Sequence, residues 1–409
     1  MATMTLPAQR RGPASRLGRR GAFGLQSAIL VTFFAASSAP TPLYSLYEHE
    51  WGFSSITLTI VFASYVAALL GALLTVGSLS NHLGRRPVLL GALALEILAM
   101  AIFAAAEGVG MLLAARLVQG LATGAAMGVL GAGLLELEHP NTPGRGTLVN
   151  SVAPMAGLAI GAIGSSALVE WVASPTRISY LILLVLLVIQ ATGVLLSPET
   201  TEPLGGALSS LRPKIGLPRA ARRAVLICAP CAVAAWALGG LYLSLGPSVA
   251  HTVSGWHTQL LGGYVVLALA GSGAAAVLVV RRASATVAML VGTGTLVAGM
   301  ALTLVSIQAG NGWVFFLGTV IAGTGFGAGF SGALRTVLPL AQPHERAELL
   351  ATFYILSYVA FSVPAVLAGV AVVHVGLLDT TRTYAVVVLL LAASALVGLL
   401  LQRRARVAS

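Results

Sequence analysis

Lysine is nearly missing from this chain: Lys214 is the one lysine among 409 residues. A Gly-x-x-x-x-Gly-Lys phosphate loop is therefore excluded, and with it a nucleotide-hydrolysing engine. Cysteine is almost as scarce. Cys228 and Cys231 cannot build a disulfide framework. No histidine joins Cys228-Ala-Pro-Cys231 to complete the four ligands zinc wants, so the pair reads as helix packing, and no metal or cofactor is expected. The seven histidines lie at or near the ends of apolar runs and form no ligand cluster. Charge of either sign is short as well: 9% of residues are charged, against about 25% in a soluble globular chain. With 57% hydrophobic residues and mean hydropathy +0.93, too little polar surface remains to face water. The chain reads as an all-α membrane protein. Its net charge of +11 does not point to nucleic acid, because the arginines sit at the ends of apolar runs rather than in a patch interleaved with aromatics.

Twelve apolar runs are long enough to cross a bilayer, which takes roughly 20 residues. They are residues 23–44, 57–76, 87–106, 109–134, 147–172, 178–196, 224–245, 259–280, 285–307, 313–338, 347–373 and 383–401. With both chain ends in the cytoplasm, twenty of the 23 basic residues fall on the cytoplasmic side, Arg177 and Arg382 on the other, and Arg116 inside a run. A missed helix would scramble this alternation, so the charges also support the count. Arg10, Arg11, Arg16, Arg19 and Arg20 before the first run, and the small residues from Ala35 to Ala39, are similar to a cleavable secretion signal. The eleven runs that follow favour an uncleaved first helix.

The stretch 197–223 holds Pro198, Pro203, Pro213, Pro218 and five basic residues, which opposes a continuous helix. It divides the chain into a basic tail at 1–22, a six-helix bundle at 23–196, a cytoplasmic linker at 197–223, a second six-helix bundle at 224–401 and a basic tail at 402–409. The bundles repeat. Gly120 and Gly124 match Gly323 and Gly327 at an offset of 203, and Pro143 and Arg145 match Pro343 and Arg346 at 200 and 201. A repeat with an even number of helices relates its halves by an axis along the membrane normal.

Between the second and third runs stands Gly77-Ser-Leu-Ser-Asn-His-Leu-Gly-Arg-Arg-Pro87. Gly77 and Gly84 allow a close approach and a tight turn, while Arg85 and Arg86 can hold the loop at the cytoplasmic face and pair with carboxylates or helix C-termini there. The pattern Gly-x-Leu-Ser-Asn-x-x-Gly-Arg-Arg resembles the loop signature of the major facilitator superfamily, in which an Asp usually stands at the position of Asn81. The resemblance implies a secondary transporter of twelve helices in two bundles that rock about a central site, lined by the first, fourth, seventh and tenth helices. It also implies gating by Asn81 with Arg85, although Asn81 carries no charge and a charge-based latch is weakened or built differently here. The plainer reading is that Arg85 and Arg86 only set topology.

Arg116 lies in Leu-Leu-Ala-Ala-Arg-Leu-Val-Gln-Gly, seven residues into the fourth run and so ~10 Å below its outer boundary. An arginine near the bilayer centre costs about 2.5 kcal/mol or more unless water or a partner reaches it. Gln119 follows one turn on and shares its face. Arg116-x-x-Gln119-Gly120 resembles a second motif of the superfamily, which implies a part in proton coupling; snorkelling to the outer surface is the alternative. Glu96 lies ~15 Å deep in the third run, deeper than any other acidic residue. A carboxyl group buried there can take up and release a proton near neutral pH, as proton-driven transport requires. An ion pair with Arg116 and a lipid-facing acid are the other readings, since the third helix is peripheral in the resembling fold.

Gln26, Phe33, Ser37 and Thr41 fall on one face of the first run, suited to a water-filled cavity, though Ser and Thr can also bond their own backbone. Tyr354 and Tyr358 share a face of the eleventh run and Tyr242 stands in the seventh. With few charges about, they suit an amphiphilic or weakly polar substrate, or plain packing. Gly120, Gly124, Gly157, Gly161 and Gly164 are small enough to let helices close up. Antiporters of the superfamily carry a Gly-Pro and a final Gly-Gly in the fifth helix, which stand here as Gly161-Ala162 and Ser165-Ser166, so packing is kept and a proline kink at that point is not expected.

The expected function is proton-coupled export of small amphiphilic drugs or metabolites by a monomer in the cell membrane, of the bacterial inner-membrane kind. Arg116 would answer to protonation of a nearby carboxylate, and Gln26, Gln119 and the tyrosines would meet substrate. Partners are the substrate, protons and the lipid bilayer. Import by the same fold is the alternative, followed by a membrane sensor or an embedded enzyme. An enzyme should cluster His, Asp or Ser near one face, and a sensor usually carries a sizeable soluble domain; neither is visible.

Overall fold

The computed structural model describes residues 17–201, 211, 215–342 and 345–408. Among the described residues there is no β-strand, and twelve helices are long and apolar enough to cross a membrane. The first to twelfth run Arg19–Trp51, Ser55–Val76, Arg85–Ala104, Val109–Glu136, Arg145–Trp171, Pro175–Leu195, Arg219–Ser244, Leu261–Val280, Ala285–Ala309, Gly312–Leu340, Glu348–Val375 and Leu377–Arg403. Each coincides with one expected run. An even number of crossings brings both ends of the chain to the arginine-rich face. The tail residues Arg10, Arg11 and Arg16, the linker residues Pro203, Arg212, Pro213 and Lys214, and Pro343 of the loop repeat lie outside the described residues.

The first helix runs to Trp51, past its expected end at Tyr44, and the reason is local. Glu48, His49 and Glu50 read as loop, yet Pro40 and Pro42 open a second helical segment, Pro40–Trp51, where a missing N–H does little harm. That segment buries Leu43, Tyr44 and Tyr47, stacks Tyr47 on Trp51 at 4.6 Å, and ends at left-handed Gly52 (φ 64°). The seventh helix breaks at the matching place: Arg219–Ser244 is followed by Gly246–Ser254, with Pro247 in its first turn.

Small residues set the spacing between helices. A Cβ on Gly120 or Gly124 would meet Ala68 or Ala72 of the second helix at 2.7 and 2.8 Å, and Gly323 and Gly327 press in the same way on Leu269 and Gly273 of the eighth. Gly157 and Gly161 pack on Phe34 and Ala35 of the first helix. Gly164, expected in the same row, is exposed, and a Cβ there would meet nothing within 4 Å; its spacing keeps it on the side of Gly157 and Gly161, so the gap lies in the neighbouring first helix, which breaks at Pro40 just past the Ser38 that Gly161 meets. The fifth helix runs unbroken through Gly161-Ala162, with its proline at Pro154.

Within the first six helices the second packs on the fourth, the third on the fourth and sixth, and the first on the fifth. The two bundles meet through the second with the eleventh and the fifth with the eighth. At the arginine-poor face this seam is shut: Pro42 lies against Gly262, Ser166 against Gly263 and Thr59 against Gly369, and the Glu170 carboxylate accepts the Gln259 N–H at 3.2 Å. Deeper in, the rings of Phe62 and Phe361 pack with centroids 5.1 Å apart, tilted by 40°. Because Gly124 has no room and Gly164 has ample room, Gly124→Val should lower stability by about 1–3 kcal/mol while Gly164→Ala leaves it nearly unchanged, as read by thermal unfolding in detergent.

Candidate functional site

A polar cluster between the helices of the first bundle is built on the break at Pro40. Pro40 has no N–H to give the carbonyl four residues back, so Ala36 O is left for a side chain to satisfy, and the Gln119 amide donates to it at 3.1 Å. The same amide donates to Glu96 Oε1 at 3.1 Å, while Gln119 Oε1 accepts from Arg116 at 2.6 Å. Arg116 also donates to the Ser37 carbonyl at 2.9 Å and twice to the Tyr44 hydroxyl, at 2.9 and 2.5 Å. The rings of Tyr44, Tyr65 and Phe103 lie 5.3–5.7 Å from the guanidinium carbon, each a favourable cation–π partner. Arg116 is 1% exposed and Gln119 and Glu96 are 0%.

This geometry decides between the readings of Arg116 and Glu96. Arg116 does not snorkel, and Glu96 does not face lipid. No direct ion pair joins them among the described residues; Gln119 stands between. Glu96 Oε2 has no hydrogen-bond partner in the protein, so a proton added there breaks no existing bond.

The matching helices of the second bundle meet without charge. Tyr242 shares a hydrogen bond with Thr303 at 3.0 Å and accepts one from Thr319 at 3.3 Å, and Thr319 is the repeat partner of Arg116. Tyr242, expected to meet substrate, is thus buried with its hydroxyl engaged inside its own bundle. Gln26 also lies apart, buried beside Gly133 near the arginine-rich end of the first helix. Ser37 joins the cluster through its carbonyl, its hydroxyl bonding Phe34 O at 2.9 Å, and Thr41 is buried one turn on.

Tyr354 and Tyr358 do come to the seam, stacked at 6.2 Å. Around them is an aromatic cluster that the sequence reading missed. Trp236 has Phe326, Phe330, Tyr358 and Phe361 at centroid distances of 4.8–6.3 Å, and its indole N–H has no partner in the protein. Tyr358 also reaches Met127 of the fourth helix at 3.5 Å. Cys228 and Cys231 are buried in an apolar cluster, Cys228 against Met289.

At the arginine-rich face the loop motif works through carboxylates. Arg85 pairs with Glu136 at the end of the fourth helix at 2.7 Å and donates to Ser80 at 2.5 Å. Glu199, just after the sixth helix, accepts the backbone N–H groups of Arg85 and Arg86 at 2.8 and 3.0 Å, capping the third helix. Arg86 reaches the Leu195 carbonyl. Gly84 (φ 97°) makes this turn, and a Cβ there would meet the Glu199 carboxylate at 2.8 Å. Gly77 is met by Gly128 of the fourth helix. Arg19 caps the fourth helix from below, donating to the carbonyls of Glu136, Leu137 and Glu138. Asn81, in the short helix Ser80–Leu83, enters none of these bonds.

Among the described residues the chain is helical, has twelve helices long and apolar enough to cross a membrane, and buries Arg116 and Glu96 between them, the architecture of a membrane transporter. Its sequence matches the Major Facilitator Superfamily over residues 27–365. The chain belongs to that superfamily. A comparison with curated protein sequences finds no match. Among solved structures its fold is similar to that of a POT family transporter in complex with 5-aminolevulinic acid, at TM-score 0.72 and 14% identity over 91% of this chain and 95% of that one. A POT family transporter in complex with a thioalcohol conjugated peptide gives TM-score 0.73 at the same identity and coverage.

Since Glu199 caps the third helix by charge as well as by hydrogen bonds, Glu199→Gln should speed amide exchange at Arg85 and Arg86 roughly two- to five-fold. Hydrogen–deuterium exchange resolved to this segment measures it.

Proposed function

We propose that the chain is a proton-coupled exporter of small amphiphilic solutes, weakly charged or cationic, acting as a monomer in the cell membrane. The units that rock are taken as residues 23–196 and 224–401, joined by the linker at 197–223. One observation carries the coupling: Glu96, Gln119 and Arg116 form one hydrogen-bonded unit wholly out of water, with a bare carboxylate oxygen. Protonating Glu96 changes the unit's net charge by one. Tyr65 conveys that change to the seam, because its ring lies 5.3 Å from the guanidinium and belongs to the apolar cluster of Phe62, Tyr358 and Phe361. The aromatic cluster at Trp236 supports an amphiphilic substrate: its flat rings suit apolar bodies and cations, and the free indole N–H suits an acceptor on the solute. Outward transport is supported by the likeness of the fifth-helix glycines, Gly157 and Gly161, to the antiporter motif. Asn81, Arg85 and Glu136 are the proposed latch at the cytoplasmic face.

Proteoliposomes with the membrane potential clamped at zero, tested with ethidium and a panel of amphiphilic cations, decide the matter. Antiport predicts accumulation of the solute when the lumen is acidic. Arg116→Ala should cut it by about 100-fold or more, and Arg116→Lys, which keeps charge but loses the planar fork, should also fail. Accumulation only when the medium is acidic would make the chain an importer, and equilibration without accumulation would remove the coupling.

A further inference from the structure

A cavity of about 200 Å³ opens at the arginine-poor ends of the first, third and sixth helices. It lies within the first bundle, away from the seam. Its rim carries Glu50, Glu107 and Arg177, all exposed, and no ion pair joins them among the described residues. Its floor is Tyr47 and Phe103, both nearly out of water. Phe103 is also one of the rings against Arg116, 5.7 Å from the guanidinium carbon. A single side chain therefore reaches from the cavity wall to the Arg116 cluster. Beside it two buried hydroxyls meet: Tyr47 donates to Tyr180 at 3.3 Å, and Tyr180 stacks on Phe103 at 4.7 Å. A layer meant only to seal the bundle would be better served by phenylalanine, which buries no hydroxyl.

The seam is closed at this face, where Pro42 meets Gly262 and Glu170 accepts from Gln259, while the cavity brings solvent to Phe103, one ring away from Arg116. We infer that this cavity is the access route by which protons from the arginine-poor side, the cell exterior by the charge bias, reach Glu96, separate from the path that solute takes between the bundles. The inference rests on the proton-coupled reading above. The ionisable groups set against Glu96 are Arg116 from the fourth helix, through Gln119, and Tyr65 from the second; Tyr44 lies on the far side of Arg116, and Tyr47 with Tyr180 comes next toward the cavity. One proton leaves a hydronium in the cavity, which becomes water, and ends on Glu96 Oε2, which becomes a neutral acid. The Tyr47 and Tyr180 hydroxyls pass it across their shared hydrogen bond, each taking a proton as it gives one up and ending unchanged, and water carries it over the remaining gap to Oε2, which has no partner in the protein. The exposed carboxylates at the rim raise the local proton concentration.

The test separates the route from the coupling. Proteoliposomes holding the protein with its arginine-rich face inward are given an acid step in the medium, and protonation of Glu96 is followed by the infrared carboxyl band that Glu96→Gln removes. Ala106→Cys at the cavity wall is then labelled with a membrane-impermeant cationic methanethiosulfonate; the native Cys228 and Cys231 are fully buried and out of its reach. The expected result is a band that reaches full amplitude but rises at least about tenfold more slowly, with the rate restored by reducing agent, and slowed likewise in Tyr47→Phe. An unchanged rate in the labelled protein overturns the route and leaves the coupling standing. A wild-type protein with no such band overturns both.

Discussion

The structure depends on a guanidinium that cannot shed its charge being held out of water in the middle of a helical bundle. Arg116 is tolerable there only because four other helices contribute to its surroundings: a carbonyl and a hydroxyl from the first, a ring from the second, a ring and, through Gln119, a carboxylate from the third, and the stacked Tyr180 layer from the sixth. The proline break in the first helix is part of this arrangement. It turns Tyr44 toward the guanidinium and leaves Ala36 O for Gln119 to fill. Losing any one of the hydrogen-bonding partners would leave a buried polar group unmet, at a cost of about 1–3 kcal/mol.

The two bundles share a plan and differ in charge. Where the first places Arg116 and Glu96, the second places Thr319, Thr303 and Tyr242, and where the second gathers rings around Trp236 at the seam, the first contributes Phe62 and Tyr65. On the proposed reading one bundle senses protons and the other receives solute, and Tyr65 belongs to both surroundings. A change of charge under Tyr65 then alters packing against Tyr358 and Phe361 directly, with no need for a long path through the protein.

Much of this was legible in the chain because water is absent from the membrane interior. Apolar runs of spanning length leave little choice of fold, and a charge deep in such a run, as at Arg116 or Glu96, stands out by its cost. The partners were harder to see. Tyr44 closes the first expected run and Tyr47 falls outside it, because the second helical segment after Pro40 hides behind Glu48, His49 and Glu50. Gln26 and Ser37 share a face by periodicity, yet only Ser37 reaches the cluster, since contacts depend on depth as well as direction. Glu136 and Glu199 look like ordinary acids near helix ends until folding sets them against Arg85. Trp236 is one aromatic among many apolar residues, and only the tertiary packing shows the rings around it.

The central claim is that Glu96, bound through Gln119 to Arg116, is the group whose protonation drives transport. The most direct measurement compares two modes of Glu96→Gln in proteoliposomes: exchange of labelled for unlabelled solute at equal pH, and accumulation under a pH gradient. Glutamine keeps the size and the hydrogen bond but not the proton, so the account predicts exchange near the wild-type rate with accumulation lost. Accumulation that survives in Glu96→Gln, or exchange that fails along with it, would contradict the account.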